Sequence, residues 1–154
     1  MPINAKGELV LLTVAYHSEQ PLNFLAEELS RQTQQPNQWI VVNNSPKSAG
    51  PLEISPSQSF LSIIQGEEGD GFGKGCNRGL DYLQQRHWEG WVWLLNPDTT
   101  MPDMETIQSM VELLGRVSSK AFVGTRVIDS NGLIEASAGW IDSGIAFRRR
   151  CVNL

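Results

Sequence analysis

Cysteine and long hydrophobic runs are both scarce in this sequence. The two cysteines, Cys76 and Cys151, stand far apart and lack the Cys-x-x-Cys spacing of a zinc knuckle or a redox motif. We therefore expect no disulfide framework and a reducing, cytoplasmic location. The longest apolar runs, such as Trp91–Leu95, fall far short of the roughly 20 residues that a membrane-spanning helix needs.

Positive charge is in the minority as well. Lys and Arg total 12 against 17 Asp and Glu, so the formal net charge is -5. Duplex nucleic acid attracts strongly basic surfaces, so nucleic acid is not an expected partner. With 154 residues, of which 40% are hydrophobic, the chain is long enough to bury a core. We therefore expect a single domain over residues 1–154.

Short apolar segments alternate with longer amphipathic ones along the chain. Continuous apolar segments are typical of strands that are buried on both faces of a parallel sheet. Three such strands are predicted, at Leu9–Val14, Trp39–Val42 and Trp91–Leu95, and a further strand is predicted at Phe60–Ile64. The alternation predicts an α/β fold, with a mostly parallel sheet and helices on both of its faces.

Helical spacing of apolar residues predicts three helices between or after these strands. Two of them are expected to begin near a proline, at Pro21 and at Pro102. Their inward-facing residues are expected to be Leu22, Leu25, Ala26 and Leu29 in the first helix, Cys76, Leu80 and Leu83 in the second, and Met104, Ile107, Val111 and Leu114 in the third. Asn131-Gly132 predicts a hairpin turn between strands at Ala121–Ile128 and Leu133–Ala136.

Polar residues and glycines follow each predicted strand. In an open α/β sheet, ligands bind outside the carboxyl ends of the strands. The segments that meet at this edge are Tyr16–Ser18, Asn43–Ser45, Gly66–Gly75 and Asn96–Asp98. Ordinary loops are polar too, so position alone makes this edge only a candidate site.

The glycine segment is the first feature that points to a ligand. Glycines at 69, 71, 73 and 75 let backbone N–H groups approach an anion at a helix start. A nicotinamide-binding Gly-x-Gly-x-x-Gly fingerprint does not fit, because its third glycine would fall on Cys76. The glycine loop of that fingerprint also follows the first strand of its domain, whereas this segment follows the third. A Walker loop does not fit either, because Lys74 is followed by Gly75. A flexible loop that ends in a helix cap remains the alternative.

The second feature is the segment Asn96–Thr99. A carboxylate at the end of an apolar strand, here Asp98, is placed where a hard cation could join it to phosphate oxygens. Pro97 restricts the backbone just before it. The alternative is that Asp98 or Thr100 only caps a helix that begins near Pro102.

In combination these motifs resemble the family 2 glycosyltransferases, and most of all their rhamnosyltransferase-like branch. The resemblance runs from about Leu9 to about Ala136, and its most specific parts are Gly71-Phe72-Gly73 and Leu95-Asn96-Pro97-Asp98. It implies the GT-A fold, a Rossmann-like nucleotide-diphosphosugar domain. It also implies transfer of a hexose, with rhamnose as one candidate, to an acceptor with inversion and with the help of Mg²⁺ or Mn²⁺.

The resemblance further implies roles for individual residues. Ala15 and Tyr16 would hold the base and ribose, and Asn43 would contact the uracil or thymine edge at a position where the family usually has Asp. Gly69 stands where the family usually has Asn. The remaining donor-binding residues would be Gly73, Lys74, Asn77 and Asn96, with Asp98 as the metal ligand.

The catalytic base is not assigned. In the family, a carboxylate in an acidic motif after the hairpin region deprotonates the acceptor hydroxyl, and neither Glu135 nor Asp142 matches that motif. The chain is therefore expected to be a donor-binding part that is incomplete at its C-terminus. The alternative is a non-catalytic nucleotide-sugar-binding remnant. The expected partners are a UDP- or dTDP-sugar and a glycan or lipid-linked acceptor. Peripheral association with the inner face of a membrane and homodimer formation are left open.

Overall fold

The computed structural model describes residues 8–117, 121–129, 131–136, 138–142 and 148–152. The chain forms two compact units, Met1–Val117 and Ser118–Leu154. The first unit contains the predicted sheet and helices, and the second contains short antiparallel strand pairs. The expectation of one domain over residues 1–154 stays a prediction.

A four-stranded parallel sheet is the centre of the first unit. Its strands are β1 (Leu9–Ala15), β2 (Gln38–Asn43), β3 (Leu61–Gln65) and β4 (Trp91–Leu94). They lie in the order β3-β2-β1-β4, and every neighbouring pair is parallel. The predicted parallel sheet is confirmed, and each predicted strand matches an observed one closely.

Helices cover both faces of this sheet, as predicted. They are α1 (Glu19–Ser30), α2 (Phe72–Gln84) and α3 (Thr106–Leu114). Helices α1 and α3 share one hydrophobic core with one face of the strands, and α2 packs in a second core on the opposite face. The four inward-facing residues predicted for α1 are all buried. The chain therefore has the Rossmann-like α/β architecture that its sequence predicts.

Burial differs between the central strands and the edge strands. Strands β1 and β2 are almost completely buried. The prediction that the strand at Trp91–Leu95 is buried on both faces is wrong, because β4 is an edge of this sheet, as is β3, and each pairs with one neighbour only. Ile63 is 41% exposed and Leu94 is 47% exposed.

The inner face of α2 also differs from the prediction. Cys76 and Leu83 are buried, but Leu80 is exposed and Gly79 takes the inward position. A Cβ atom at Gly79 would overlap the side chain of Leu12. The absence of a side chain at Gly79 therefore lets α2 lie close against β1. A prediction based on the spacing of apolar residues does not detect such a position.

Helix α3 begins at Thr106, four residues later than the start predicted at Pro102. The end of α1 explains the difference. The side chain of Gln32 donates to the carbonyl oxygen of Asp103 at 2.7 Å and accepts from the N–H of Ile107 at 3.0 Å. These bonds hold the residues before Thr106 as a turn, so Met104 is exposed rather than inward-facing. The other predicted inward-facing residues lie within α3, where Ile107 and Leu114 are buried and Val111 is half-buried.

The second unit contains the predicted hairpin, with shorter strands. Strands β5 (Val127–Ile128) and β6 (Ile134–Ala136) pair antiparallel. The Asp129 carboxylate accepts from the N–H groups of Asn131 and Leu133, each at 2.8 Å, and Gly132 adopts a φ of +78°. Residues 121–126 are not part of β5.

A second antiparallel pair follows, formed by β7 (Ala138–Asp142) and β8 (Arg148–Val152). The side chains of Glu135 and Asp142 lie outside the described part of the structure. Across the described residues, no helix is long and apolar enough to cross a membrane.

Candidate functional site

The loops after the strands come together at the carboxyl edge of the sheet. The N–H of Asn44 donates to the carbonyl oxygen of Ala15, and the N–H of Gly66 donates to that of Asn43, both at 2.8 Å. From β1 the chain builds β2 and β3 on one side and then places β4 on the other side. The edge beside β1 is thus a topological switch point, where ligands bind in sheets of this type.

Hydrogen bonds tie the loop after β1 to the loop after β2. Asn43 and Asn44 are buried, with 3% and 1% of their surfaces exposed. The Asn43 Oδ1 atom accepts from the N–H of Ser45 at 3.0 Å, and the Ser45 Oγ atom accepts from the N–H of His17 at 2.9 Å. His17 has a φ of +48°, which is uncommon for a residue with a side chain. The bond to Ser45 holds His17 in this conformation.

A pocket of about 470 Å³ opens between these loops and the start of α1. Asn43 and Ser45 lie on its inner wall, because they are nearly buried, and His17 lines it as well. Tyr16 is 59% exposed, and its ring packs edge-on against the His17 ring with 4.5 Å between centroids. The remaining lining residues are Glu19, Gln20, Pro21, Ala49, Gly50 and Leu52. The pocket therefore combines the imidazole of His17 with amide, hydroxyl and carboxylate groups, which suits a ring that carries polar edges.

The glycine segment, Gly66–Gly75, packs against the same edge of the sheet. The Asn44 Nδ2 atom donates to the carbonyl oxygen of Asp70 at 2.9 Å. A Cβ atom at Gly66 would overlap the Asn44 Oδ1 atom. Glycine is therefore required at position 66 so that the loop can lie on the buried asparagine.

The first turn of α2 is open to a ligand. Its N-cap residue is Gly71, and no described side chain caps the helix. Uncapped N–H groups at a helix start attract anions. Gly73 lies in this turn with nothing within 4 Å of a Cβ placed there. Asn77, one turn further along, is exposed.

Analysis of the sequence missed an ion-pair network at the start of α2. Asp70 is only 10% exposed at its side chain, and its two carboxylate oxygens lie 3.1 Å from Lys74 Nζ and 3.2 Å from Arg78 Nη2. The hydrogen bonds from Lys74, and then those from Arg78, hold the pKa of Asp70 below its ordinary value. The spacing of Asp70, Lys74 and Arg78, four residues apart each time, is the signal that could have revealed it.

The segment after β4 is an exposed turn. The N–H of Thr99 donates to the carbonyl oxygen of Asn96 at 3.1 Å, with Pro97 at the second position that this turn favours. Asn96 and Asp98 are exposed, and the Asp98 carboxylate has no hydrogen bond or ion pair to any described residue. Because α3 begins at Thr106 and its N-cap is Glu105, the alternative that Asp98 or Thr100 caps it is wrong.

The predicted site residues thus lie in three groups along one edge. Ala15, Tyr16 and Asn43 surround the ends of β1 and β2, whereas Gly73, Lys74 and Asn77 lie on the first turns of α2, and Asn96 and Asp98 lie in the turn after β4. Ala15 itself is buried, so only its backbone is available there. In the described ranges, no three His, Cys, Asp or Glu side chains are close enough to hold a metal ion together.

These features define a Rossmann-like α/β domain with a candidate ligand site at the carboxyl edge of its sheet. Comparison with known families goes further. The sequence profile described as Glycosyl transferase family 2 matches residues 11–148. The match covers most of the chain, so the protein belongs to this family and is a glycosyltransferase that uses a nucleotide-sugar donor and an acceptor. No individual curated protein matches the chain.

Proposed function

We propose that this edge of the sheet binds a nucleotide-diphosphate sugar, as the donor site of an inverting, metal-assisted hexosyltransferase. The observation that carries the proposal is the pocket of about 470 Å³ at the ends of β1 and β2. It lies beside the switch point, and Asn43 forms part of its buried wall. UDP- and dTDP-linked hexoses, rhamnose among them, are the proposed donors, with a glycan or lipid-linked acceptor.

The base would occupy the pocket, and the rest of the donor would extend toward α2 and β4. Tyr16 offers an exposed ring beside His17, which lines the pocket, and Ala15 is buried at the end of β1. The uncapped start of α2, around Gly73, supports placing the diphosphate there. Lys74 remains largely exposed although it pairs with Asp70, so its ammonium can also meet a phosphate oxygen.

Asp98 is the proposed metal ligand. Its carboxylate is exposed and unpaired among the described residues, and oxygen ligands suit Mg²⁺ and Mn²⁺. One carboxylate does not make a complete coordination shell, so this residue fits an ion that arrives with the donor's phosphate oxygens. A bound divalent ion would stabilise the negative charge that develops on the departing nucleoside diphosphate. Asn96 lies in the same turn and is proposed to contact the donor.

Titration of UDP and dTDP, each with and without Mn²⁺, tests this proposal. For the wild type we expect Mn²⁺ to strengthen binding about tenfold or more, and for Asp98→Asn we expect most of that gain to be lost, because the amide removes the charge that attracts the ion. Calorimetry on the full chain gives both affinities. A donor-hydrolysis assay, which needs no acceptor, then separates an enzyme from a binding protein.

Asp81→Asn is the matched control, because Asp81 is an exposed carboxylate on the third turn of α2. It should keep the Mn²⁺ dependence of the wild type. Equal Mn²⁺ dependence in Asp98→Asn and the wild type would exclude Asp98 as the ligand. Failure of both nucleotides to bind the folded chain would exclude the donor site itself.

A further inference from the structure

The hydrogen-bond pattern around Asn43 decides what this residue can offer a ligand. Its Oδ1 atom already accepts the N–H of Ser45 at 3.0 Å, whereas Nδ2 has no partner among the described residues. The neighbouring Ser45 Oγ atom accepts from His17, so its own hydrogen remains available to donate. The inner wall of the pocket therefore presents hydrogen-bond donors.

A pyrimidine base such as uracil or thymine needs more than donors. Its edge carries a carbonyl oxygen, which accepts, beside a ring N–H, which donates. The Nδ2 atom of Asn43 can serve the carbonyl oxygen but not the ring N–H. A donor that enters a pocket without finding an acceptor loses its bond to water, which weakens binding. Because Oδ1 of Asn43 already accepts from Ser45, a free acceptor on another lining residue would complete the match to the base.

Glu19 is the one carboxylate among the residues that line the pocket. It is the first residue of α1, so it lies where the start of that helix lines the pocket. Its carboxylate is exposed and has no hydrogen bond or ion pair to any described residue. A negative charge is favoured at a helix start, so the group is available as a charged acceptor without first breaking another contact.

We propose that Glu19 contacts the nucleobase, accepting its ring N–H while Asn43 donates to the adjacent carbonyl oxygen. This proposal rests on the proposed function, since it assumes that a nucleotide base enters the pocket. It assigns base recognition to a pair of residues on two elements, one at the end of β2 and one at the start of α1.

Calorimetric titration of UDP and of inorganic pyrophosphate, both with Mn²⁺, tests the proposal on the full chain. Glu19→Ala should weaken UDP binding about tenfold, the loss expected for one hydrogen bond to a charged group. Pyrophosphate lacks a base, so its affinity should not fall. Glu19→Gln should stay within about threefold of the wild type for UDP, because its side-chain carbonyl still accepts a hydrogen bond.

Two further variants sharpen the result. Glu27→Ala removes an exposed carboxylate two turns further along α1, outside the pocket, and should leave UDP binding unchanged. Asn43→Asp should weaken UDP binding and not pyrophosphate binding, because a carboxylate oxygen would face the base carbonyl oxygen that Nδ2 is proposed to serve. Circular dichroism of each variant checks that the fold is retained.

An unchanged UDP affinity in Glu19→Ala would overturn the role of Glu19, and so would an equal loss for UDP and pyrophosphate. In both cases the wild type still binds UDP, so the proposed function would stand. A folded wild type that binds neither ligand would overturn both proposals together.

Discussion

The two sides of the carboxyl edge of the sheet are built differently. On the side of β1 and β2, Asn43, Asn44 and Ser45 are buried and hold each other and the neighbouring loops through hydrogen bonds. On the side of β4, the turn Asn96–Thr99 is largely exposed, and the Asp98 carboxylate has no hydrogen bond or ion pair to any described residue.

The two sides therefore differ in the kind of contact they can offer a ligand: ordered polar groups on one side and an exposed negative charge on the other. A pocket whose polar groups are already held in place binds a ligand without first ordering them, which favours affinity. An unpaired carboxylate is tolerated only where water reaches it, because burial of an unpaired charge is costly. The structure therefore has a formed pocket at β1 and β2, and at β4 an exposed carboxylate, which we propose as the metal ligand.

The largest effect should come from adding a methyl group on the packed side. Gly66→Ala would press its Cβ onto the buried Asn44 side chain, which is held by its bond to Asp70. We expect a loss of about 2–3 kcal/mol in the free energy of unfolding, as for other overpacked sites. Urea denaturation measures it.

Gly73→Ala is the matched control, because nothing lies within 4 Å of its added Cβ. It should leave stability unchanged or raise it by up to about 1 kcal/mol, since alanine favours the helix. Equal losses at positions 66 and 73 would contradict the contrast between packed and open parts of the edge.

A smaller effect should appear in the pH dependence of stability. Because ion pairs with Lys74 and Arg78 lower the pKa of Asp70 in the folded chain, its stabilisation is fully present above the ordinary Asp pKa of about 3.9. It is lost as the pH falls through the lower pKa of the folded state. Asp70→Asn should be less stable than the wild type at neutral pH, and the difference should shrink in acid and in high salt. A difference that stays constant across this pH range would contradict the role of these ion pairs.

The smallest effect belongs to Asp98. Without a partner among the described residues, Asp98→Asn should change the free energy of unfolding by no more than about 0.5 kcal/mol, as is usual at exposed positions. Thermal unfolding without divalent ions measures this. A clear loss of stability would show that Asp98 supports the fold and would remove the contrast with Asn44.

Much of the site could be predicted because its parts follow strands that are visible in the sequence. Asn43 stands directly after an apolar segment, and Asp98 stands close to the end of another. Because both segments are strands of one parallel sheet, both residues are expected at the same edge. The proposed role of Glu19 could not be predicted in the same way. It depends on the pocket that α1 forms with the loop after β2, and on the bond that turns Oδ1 of Asn43 toward Ser45.

Local periodicity by itself determined where the strands and helices lie, since apolar runs and helical spacing reflect the backbone geometry of each segment. Only the tertiary structure decided that β3 and β4 form the edges of this sheet, that Gly79 rather than Leu80 faces β1, and that α3 begins at Thr106. Each of these outcomes depends on a partner distant in the chain, such as Leu12 for Gly79 or Gln32 for the start of α3. Contacts between distant segments leave no regular spacing in the sequence, because they form only when the elements pack.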